Sequence, residues 1–528
     1  MLHLIVESNM NIFISYFNNT QILLLIIATV CFLFSLFFQT KNKSNLSIIF
    51  LVLAGISIFS FSALLDPFLN LWDERFHALV AKNLMHHPLM PTLYDNPIVN
   101  MDYDRWDRYY IWLHKQPLFL WQIALSFKLF GVSEFSLRLP DIVLGAILIF
   151  ITYRSGKLLV NQRVGYISGI LLISTIYILE LISGRQELEH NDFSFLVYVS
   201  LSIWSFIEYH YSKKKIWIYL IGLFSGMAIL CKWLVGLLVY LGWFILRMMQ
   251  KKIKLSENKD VLISLLVTIF VSLPWQILTF IWYPQEAINA YKFNAIHFLT
   301  PLEGHSGSFW YHFEIFDTIY GRVASFLIIP AFIILYKRVK DKKLFASLLS
   351  MVFIVYLFFS LAATKMPSFT IIVAIVIFIA LASLFDAIID YINTFIQKKY
   401  VKHIIFILVI FIIVLLRFNI EYLQAKHTLW KKNNVYTRML LHNKKVFKSL
   451  KLPPNTVLFN VKGRHYIEAM FYTGLPAYNF IPTYDQYQDL KNKKINIAIF
   501  IKENMKIPNY LKNDTSIMFI NKKIEGYE

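Results

Sequence analysis

Long apolar runs, broken by short polar stretches rich in lysine, fill the first four-fifths of this chain. A helix needs roughly 20 apolar residues to cross a hydrocarbon core. Runs of that kind, some shorter, lie near 21–39, 47–65, 138–159, 164–182, 193–211, 216–231, 233–248, 260–281, 322–336, 344–362, 368–389 and 402–418. The pattern predicts about twelve transmembrane helices. From about Asn419 the pattern changes. Short β-like runs at 456–461, 495–501 and 516–520 are punctuated by Pro453, Pro454 and Gly474. The expected architecture is an all-α polytopic membrane domain over 1–418, followed by a small soluble α/β domain over 419–528. There is no internal repeat and no low-complexity tract.

Composition agrees with the pattern. Of 528 residues, 57% are hydrophobic and 17% aromatic, more than a soluble protein carries. Only 16% are charged, yet the net charge is +20, so the positive charge is concentrated. It sits in alternate loops: Lys41 and Lys43; Arg154, Lys157 and Arg163; Lys213 to Lys215; Lys251, Lys252 and Lys254; Lys337 to Lys343; and Lys398, Lys399 and Lys402. The positive-inside rule puts these loops in the cytoplasm. The segments 66–137, 183–192 and 282–321, and the tail after Arg417, then face out. Basic residues confined to short loops between spans are no footprint for nucleic acid. Cys31 and Cys231 both lie in apolar runs, which argues against a disulfide scaffold or a thiolate metal site. The first apolar run lacks a small-residue cleavage site and reads as a span, not a removable leader. Richness in Lys, Asn, Ile and Phe suggests an AT-rich bacterial genome and no more. The expected location is a bacterial plasma membrane.

Ionisable residues at the membrane edge are costly and usually mark function. Five groups fall in the predicted outer loops. Asp73-Glu74 follows Trp72 just beyond the second run and reads either as a base with its support or as acids favoured at a helix N-terminus. Lys115 precedes an amphipathic stretch, 118–130, and reads as a phosphate-binding point charge or an interfacial anchor. The turn from Gly184 to Asp192 is denser in charge than so short a loop needs. Lys232 interrupts an apolar hairpin, and Lys365 separates two apolar runs. Cations facing a carrier phosphate, with a carboxylate near an acceptor hydroxyl, suit displacement of a phosphate leaving group. No Gly-rich nucleotide loop is present, which disfavours a nucleotide-sugar donor.

At these residues the chain resembles the GT-C glycosyltransferases of the protein O-mannosyltransferase and lipid A aminoarabinose transferase type. The resemblance runs from about Leu71 to Leu384. It includes Asp73-Glu74, Lys115-Gln116-Pro117-Leu118, Phe135-Ser136-Leu137-Arg138-Leu139-Pro140, Arg185, Asp192-Phe193, Cys231-Lys232-Trp233, Pro274-Trp275, Glu303-Gly304-His305-Ser306-Gly307 with Trp310-Tyr311, and Lys365-Met366-Pro367-Ser368-Phe369. Order and spacing together carry it. The resemblance implies Asp73 as catalytic base with Glu74 beside it, and Lys115 as holder of the carrier phosphate. It implies Arg185, Asp192, Lys232, His305 and Lys365 as lining of the donor cavity. Two positions depart from the family. Phe76 stands where Arg is common and Leu79 where an acid is common, leaving Arg75 or His77 to compensate.

The function so implied is inverting transfer of a hexosyl or pentosyl group from a polyprenyl-phosphate-linked sugar to lipid A, a protein or a surface glycan, at the outer face of the plasma membrane. Membrane lipids are expected partners and nucleic acid is not. The alternative is a transporter or flippase of lipid-linked sugars, although such proteins tend to carry repeated halves and charges at the bilayer midplane. No cofactor is certain and no metal ligand is assigned. Asp73, Glu74, Glu187, Glu189 and Asp192 offer oxygen ligands to a divalent ion, while carboxylate clusters without metal are commoner.

Overall fold

The computed structural model describes residues 17–95, 97–99, 106–185, 190–252, 254–418, 435–502 and 505–526. The helices are α1 (Asn19–Thr40), α2 (Ser44–Ala63), α3 (Asp73–Leu84), α4 (Leu118–Phe130), α5 (Glu134–Leu159), α6 (Gln162–Ile173), α7 (Ile176–Ile182), α8 (His190–Ser212), α9 (Ile216–Lys232), α10 (Leu238–Met249), α11 (Lys259–Trp282) and α12 (Pro284–Leu299). They continue with two short pieces, α13 (Tyr311–Glu314) and α14 (Phe316–Tyr320), and then α15 (Ala324–Arg338), α16 (Lys342–Leu361), α17 (Ala374–Thr394) and α18 (Lys399–Arg417). Side-chain caps fix several starts. Asn18 and Gln21 form a capping box on α1, Ser133 caps α5, Asn161 caps α6 and Asp341 caps α16.

Each predicted apolar run corresponds to a helix, or to the bent pair α6–α7, in a multi-pass membrane protein. Among the described residues eight helical segments are long and apolar enough to cross a membrane, with Ile216–Met249 counted as one, and the pair α6–α7, bent by 60°, makes a ninth. Ile216–Met249 is in fact a hairpin. The Ser225 hydroxyl donates to Gly236 O across a 3-10 turn, Trp233–Leu237. Gly222 and Tyr240 both reach Thr268 of α11. The chain therefore reverses after Lys232. The 23-residue α8 is more polar, and α15 has only 15 residues.

Ion pairs gather the basic loops at one end of the bundle. Arg154 pairs with Glu208, His210 with Asp341, Arg247 with Asp260, and Arg163 and Arg338 share Asp386 and Asp390. The starts of α3 and α8, the end of α9 and the α16–α17 junction lie at the opposite end.

The tail forms α19 (Val435–Lys448), β1 (Thr456–Phe459), α20 (Tyr466–Thr473), α21 (Tyr484–Asn492), β2 (Asn496–Phe500), α22 (Asn509–Lys512) and β3 (Met518–Ile520). The strands pair in parallel in the order β1-β2-β3. Parallel pairing needs crossovers, and α20 to α22 supply them. This module shares a hydrophobic core with α3 and α4. Tyr478 stacks on Tyr94 at 5.1 Å between ring centres, the Tyr466 hydroxyl donates to Asp107 O at 2.6 Å, and Lys444 pairs with Glu134 at 2.6 Å. Residues 419–434, where the predicted boundary falls, lie outside the described residues.

Candidate active site

The site begins where α2 ends. Trp72 adopts φ +63°, a strained conformation for a bulky residue. It turns the chain so that α3 opens on Asp73-Glu74. The two carboxylates then part. Asp73 faces a cavity and pairs with Lys115 at 3.5 Å. Glu74 turns inward and is 1% exposed. Arg138 grips it with two bonds, Nε to Oε1 at 2.8 Å and Nη2 to Oε2 at 2.9 Å. The Asn70 amide donates to it at 2.6 Å, and His190 Nε2 lies 2.9 Å from Oε1. Burial opposes ionisation of Glu74, but Arg138 and His190 outweigh it and hold the carboxyl down at about 2.

The network continues through the wall. His190 Nδ1 meets Asp141 at 2.6 Å, and Arg185 pairs with Asp66 at 3.0 Å. An imidazole between two carboxylates donates to both only as imidazolium. Arg138 also donates to the carbonyls of Ala63, Asp66 and Phe68, the residues that close α2 and lead to Trp72. The network thus fixes the turn that aims Asp73.

The cavity holds about 920 Å³. Asp73, Lys115, Asp192, Lys232 and His305 line it. Lys232 pairs with Asp192 and stands over the Phe369 ring at 4.7 Å. Trp72, Trp106, Trp233, Tyr291 and Phe369 give the cavity aromatic walls. Trp233, at φ +72°, packs edge-on against Tyr291 at 4.2 Å. Glu303 and His305, from the loop between α12 and α13, also line the cavity. Trp106 Nε1 donates to Glu303 at 2.7 Å, and the Lys365 amide donates to His305 O at 3.0 Å.

Glu74, Arg185 and Lys365, also singled out in the sequence, do not line this cavity. Lys365 is buried and donates to the carbonyls of Phe359, Ser360 and Ala362, which close α16. That is a helix C-terminus cap. Glu187 and Glu189 lie outside the described residues. Among the described residues no three His, Cys, Asp or Glu side chains converge as metal ligands. Arg75 and His77 do not line the cavity either. Arg75 turns to Glu468 of the C-terminal module at 3.7 Å, and His77 packs edge-on against Phe119 at 4.7 Å.

Residues 114–275 match the sequence pattern of the dolichyl-phosphate-mannose-protein mannosyltransferase family. An uncharacterized protein of Aquifex aeolicus (strain VF5) is 26% identical over 200 residues, 37% of this chain and 37% of that protein. The structure superposes on ArnT from Cupriavidus metallidurans bound to undecaprenyl phosphate with TM-score 0.59 and 14% identity, covering 84% of this chain and 88% of ArnT. The fold is that of the GT-C glycosyltransferases. The GT-C fold is also seen in the archaeal oligosaccharyltransferase AglB from Archaeoglobus fulgidus in complex with an inhibitory peptide and a dolichol-phosphate. That match has TM-score 0.51 and 10% identity, and covers 81% of this chain and 64% of AglB.

On this GT-C scaffold several residues escape sequence reasoning. Arg138 sits inside a quoted motif, yet its partner Glu74 is 64 positions away. Asp66 and Asp141 are single acids in or beside apolar runs, and His190 lies in the charge-dense turn from Gly184 to Asp192 with no role of its own assigned there. Arg464 comes from the tail, which carries no readable motif. A charge inside or beside an apolar run was the available signal for the first four.

Proposed function

We propose that this chain transfers a sugar from a polyprenyl-phosphate carrier to an acceptor, with the carrier phosphate held by Lys115 and Lys232 and the acceptor deprotonated by Asp73. One observation carries the reading. Two cation–carboxylate pairs, Lys115–Asp73 and Lys232–Asp192, face the same aromatic-walled cavity, at the end of the bundle opposite the basic loops. The family match over 114–275 and the GT-C fold support it.

The chemistry is a single displacement. The acceptor oxygen attacks the anomeric carbon, and its proton passes to Asp73. The bond from that carbon to the phosphate oxygen breaks, and the electron pair leaves with the carrier phosphate. Attack opposite the leaving group inverts the anomeric centre. Lysines fixed beside the phosphate offset its growing charge. The prenyl tail stays in lipid while the phosphate reaches the membrane edge. By the positive-inside rule the cavity faces the exterior of a plasma membrane. Lipid, protein or glycan hydroxyls or phosphates are all chemically competent acceptors.

Undecaprenyl phosphate binding to the purified chain tests the carrier site. Lys115→Ala is expected to weaken binding by about tenfold or more, the scale of one lost charge-assisted bond. Equal binding by wild type and Lys115→Ala would remove Lys115 from the phosphate site.

A further inference from the structure

We infer that the C-terminal module completes the active site with a second anion subsite, centred on Arg464, that binds a phosphate or carboxylate carried by the acceptor. The inference rests on the transferase reading for the word acceptor. The geometry is independent of it.

Arg464 lines the same cavity as Asp73, although 391 residues separate them in the chain. Its guanidinium lies over the Trp72 ring at 4.6 Å, beside the catalytic candidate. Asp107, 3% exposed, accepts from Nε at 2.9 Å and orients the plane. Among the described residues no partner takes the two terminal nitrogens. A planar fork presenting two donors is the chemistry that recognises an oxyanion bidentately.

The backbone around Arg464 is built for its position. It follows β1 in the loop Asn460 to His465, where Asn460 and Gly463 adopt φ +59° and +52°. Loops at the carboxyl ends of parallel strands are the customary ligand face of α/β sheets. Lys462 shares this loop, and Lys502 follows the neighbouring β2. Burial first, and the Lys462 charge second, hold Lys502 below its usual value, so the two cations lie close enough to feel each other. Of this loop's Lys462 and Arg464, it is Arg464 that lines the cavity.

The division of labour follows from where each cation is anchored. Lys232 closes α9 and Lys115 lies in the loop that leads into α4, where the proposed carrier phosphate is held. Arg464 hangs from the C-terminal module over Trp72, the residue before Asp73. A carrier phosphate held by Lys115 and Lys232 does not account for a third cation on a separate module with its own orienting acid. An acceptor bearing its own oxyanion does, because the second anchor sets its nucleophile against Asp73.

Direct binding to the full chain in nanodiscs of zwitterionic lipid, with and without saturating undecaprenyl phosphate, tests the subsite. The probes are glucose 1-phosphate, glucuronate and glucose. Wild type is expected to prefer at least one charged sugar over glucose by tenfold or more, with the carrier bound. The phosphate and carboxylate arms identify which oxyanion fits. Arg464→Gln is expected to bring the charged sugars to the level of glucose while leaving undecaprenyl phosphate affinity unchanged. Arg464→Lys is expected to retain part of the preference. A charged-to-neutral ratio that Arg464→Gln leaves unchanged, or no such preference in wild type, overturns the subsite whatever the carrier does. Failure of wild type to bind undecaprenyl phosphate counts instead against the transferase reading.

Discussion

Asp73 faces the cavity beside Lys115, whereas Glu74 is locked to Arg138 and His190, so substituting each separates chemistry from folding. Removing the Glu74 charge strands two buried cations. Glu74→Gln is expected to destabilise the protein by about 3–5 kcal/mol, read as a lowered unfolding temperature in detergent. The same residue gives an acid limb. Its folded pKa of about 2 lies below the ordinary 4.5. Its contribution is therefore fully present above pH 4.5 and lost as pH falls towards 2. Wild type is expected to lose stability across that window, and Glu74→Gln to lack this part of the loss. A variant as stable as wild type, with the same acid profile, would contradict the network. Spacing alone left open which acid is the base and which its support, and only the family resemblance singled out Asp73. Adjacent residues on a helix point about 100° apart, and only the position of Arg138 decides which one is consumed internally.

At the scale of elements, small residues set how closely helices approach. Gly222 and Gly226 of α9 form a small-xxx-small pair against α11. A Cβ on Gly222 would stand 2.3 Å from the Ser264 carbonyl oxygen, and one on Gly226 would stand 2.7 Å from the Val271 Cβ. Because α9 ends on Lys232, this contact also sets the height of that lysine. Gly222→Val is expected to lower the unfolding temperature and to weaken undecaprenyl phosphate binding, although it touches no ligand. Unchanged values in both assays would show that α9 tolerates displacement. Helices were legible in the sequence because lipid demands long apolar runs. The strands at 456–461, 495–501 and 516–520 were legible as short β-branched and apolar runs. Two features were not. The bend between α6 and α7 occurs at Ser174-Thr175, where both hydroxyls turn back onto carbonyls one turn earlier, with no proline to signal it. The capping role of Lys365 depends on where α16 stops, which composition leaves undefined.

The whole molecule has one basic end, one cavity end and a module seated over the cavity. The basic loops joined by ion pairs share one end of the bundle, as their alternation along the chain implied, although no motif announced the pairs themselves. Docking of the module was invisible, because the apolar core and the single polar bonds that hold it against α3 and α4 join residues far apart in the chain. The sidedness makes a direct prediction. Cysteines introduced at Lys493, about half exposed in the module, and at Lys252, in a basic loop, are expected to differ in intact cells. A membrane-impermeant maleimide is expected to label the first and spare the second until the membrane is opened. The reverse pattern would invert the topology.

The measurement closest to the central claim compares envelope lipids, glycans and proteins by mass spectrometry in three strains: one lacking this chain, one complemented with wild type and one complemented with Asp73→Asn. The predicted result is loss of one sugar from one acceptor, restored by wild type only. Asp73→Asn is expected to insert normally and to transfer at least about a hundredfold more slowly, the lower scale of general-base catalysis. Full restoration by Asp73→Asn, or no sugar lost from any fraction, would contradict the account.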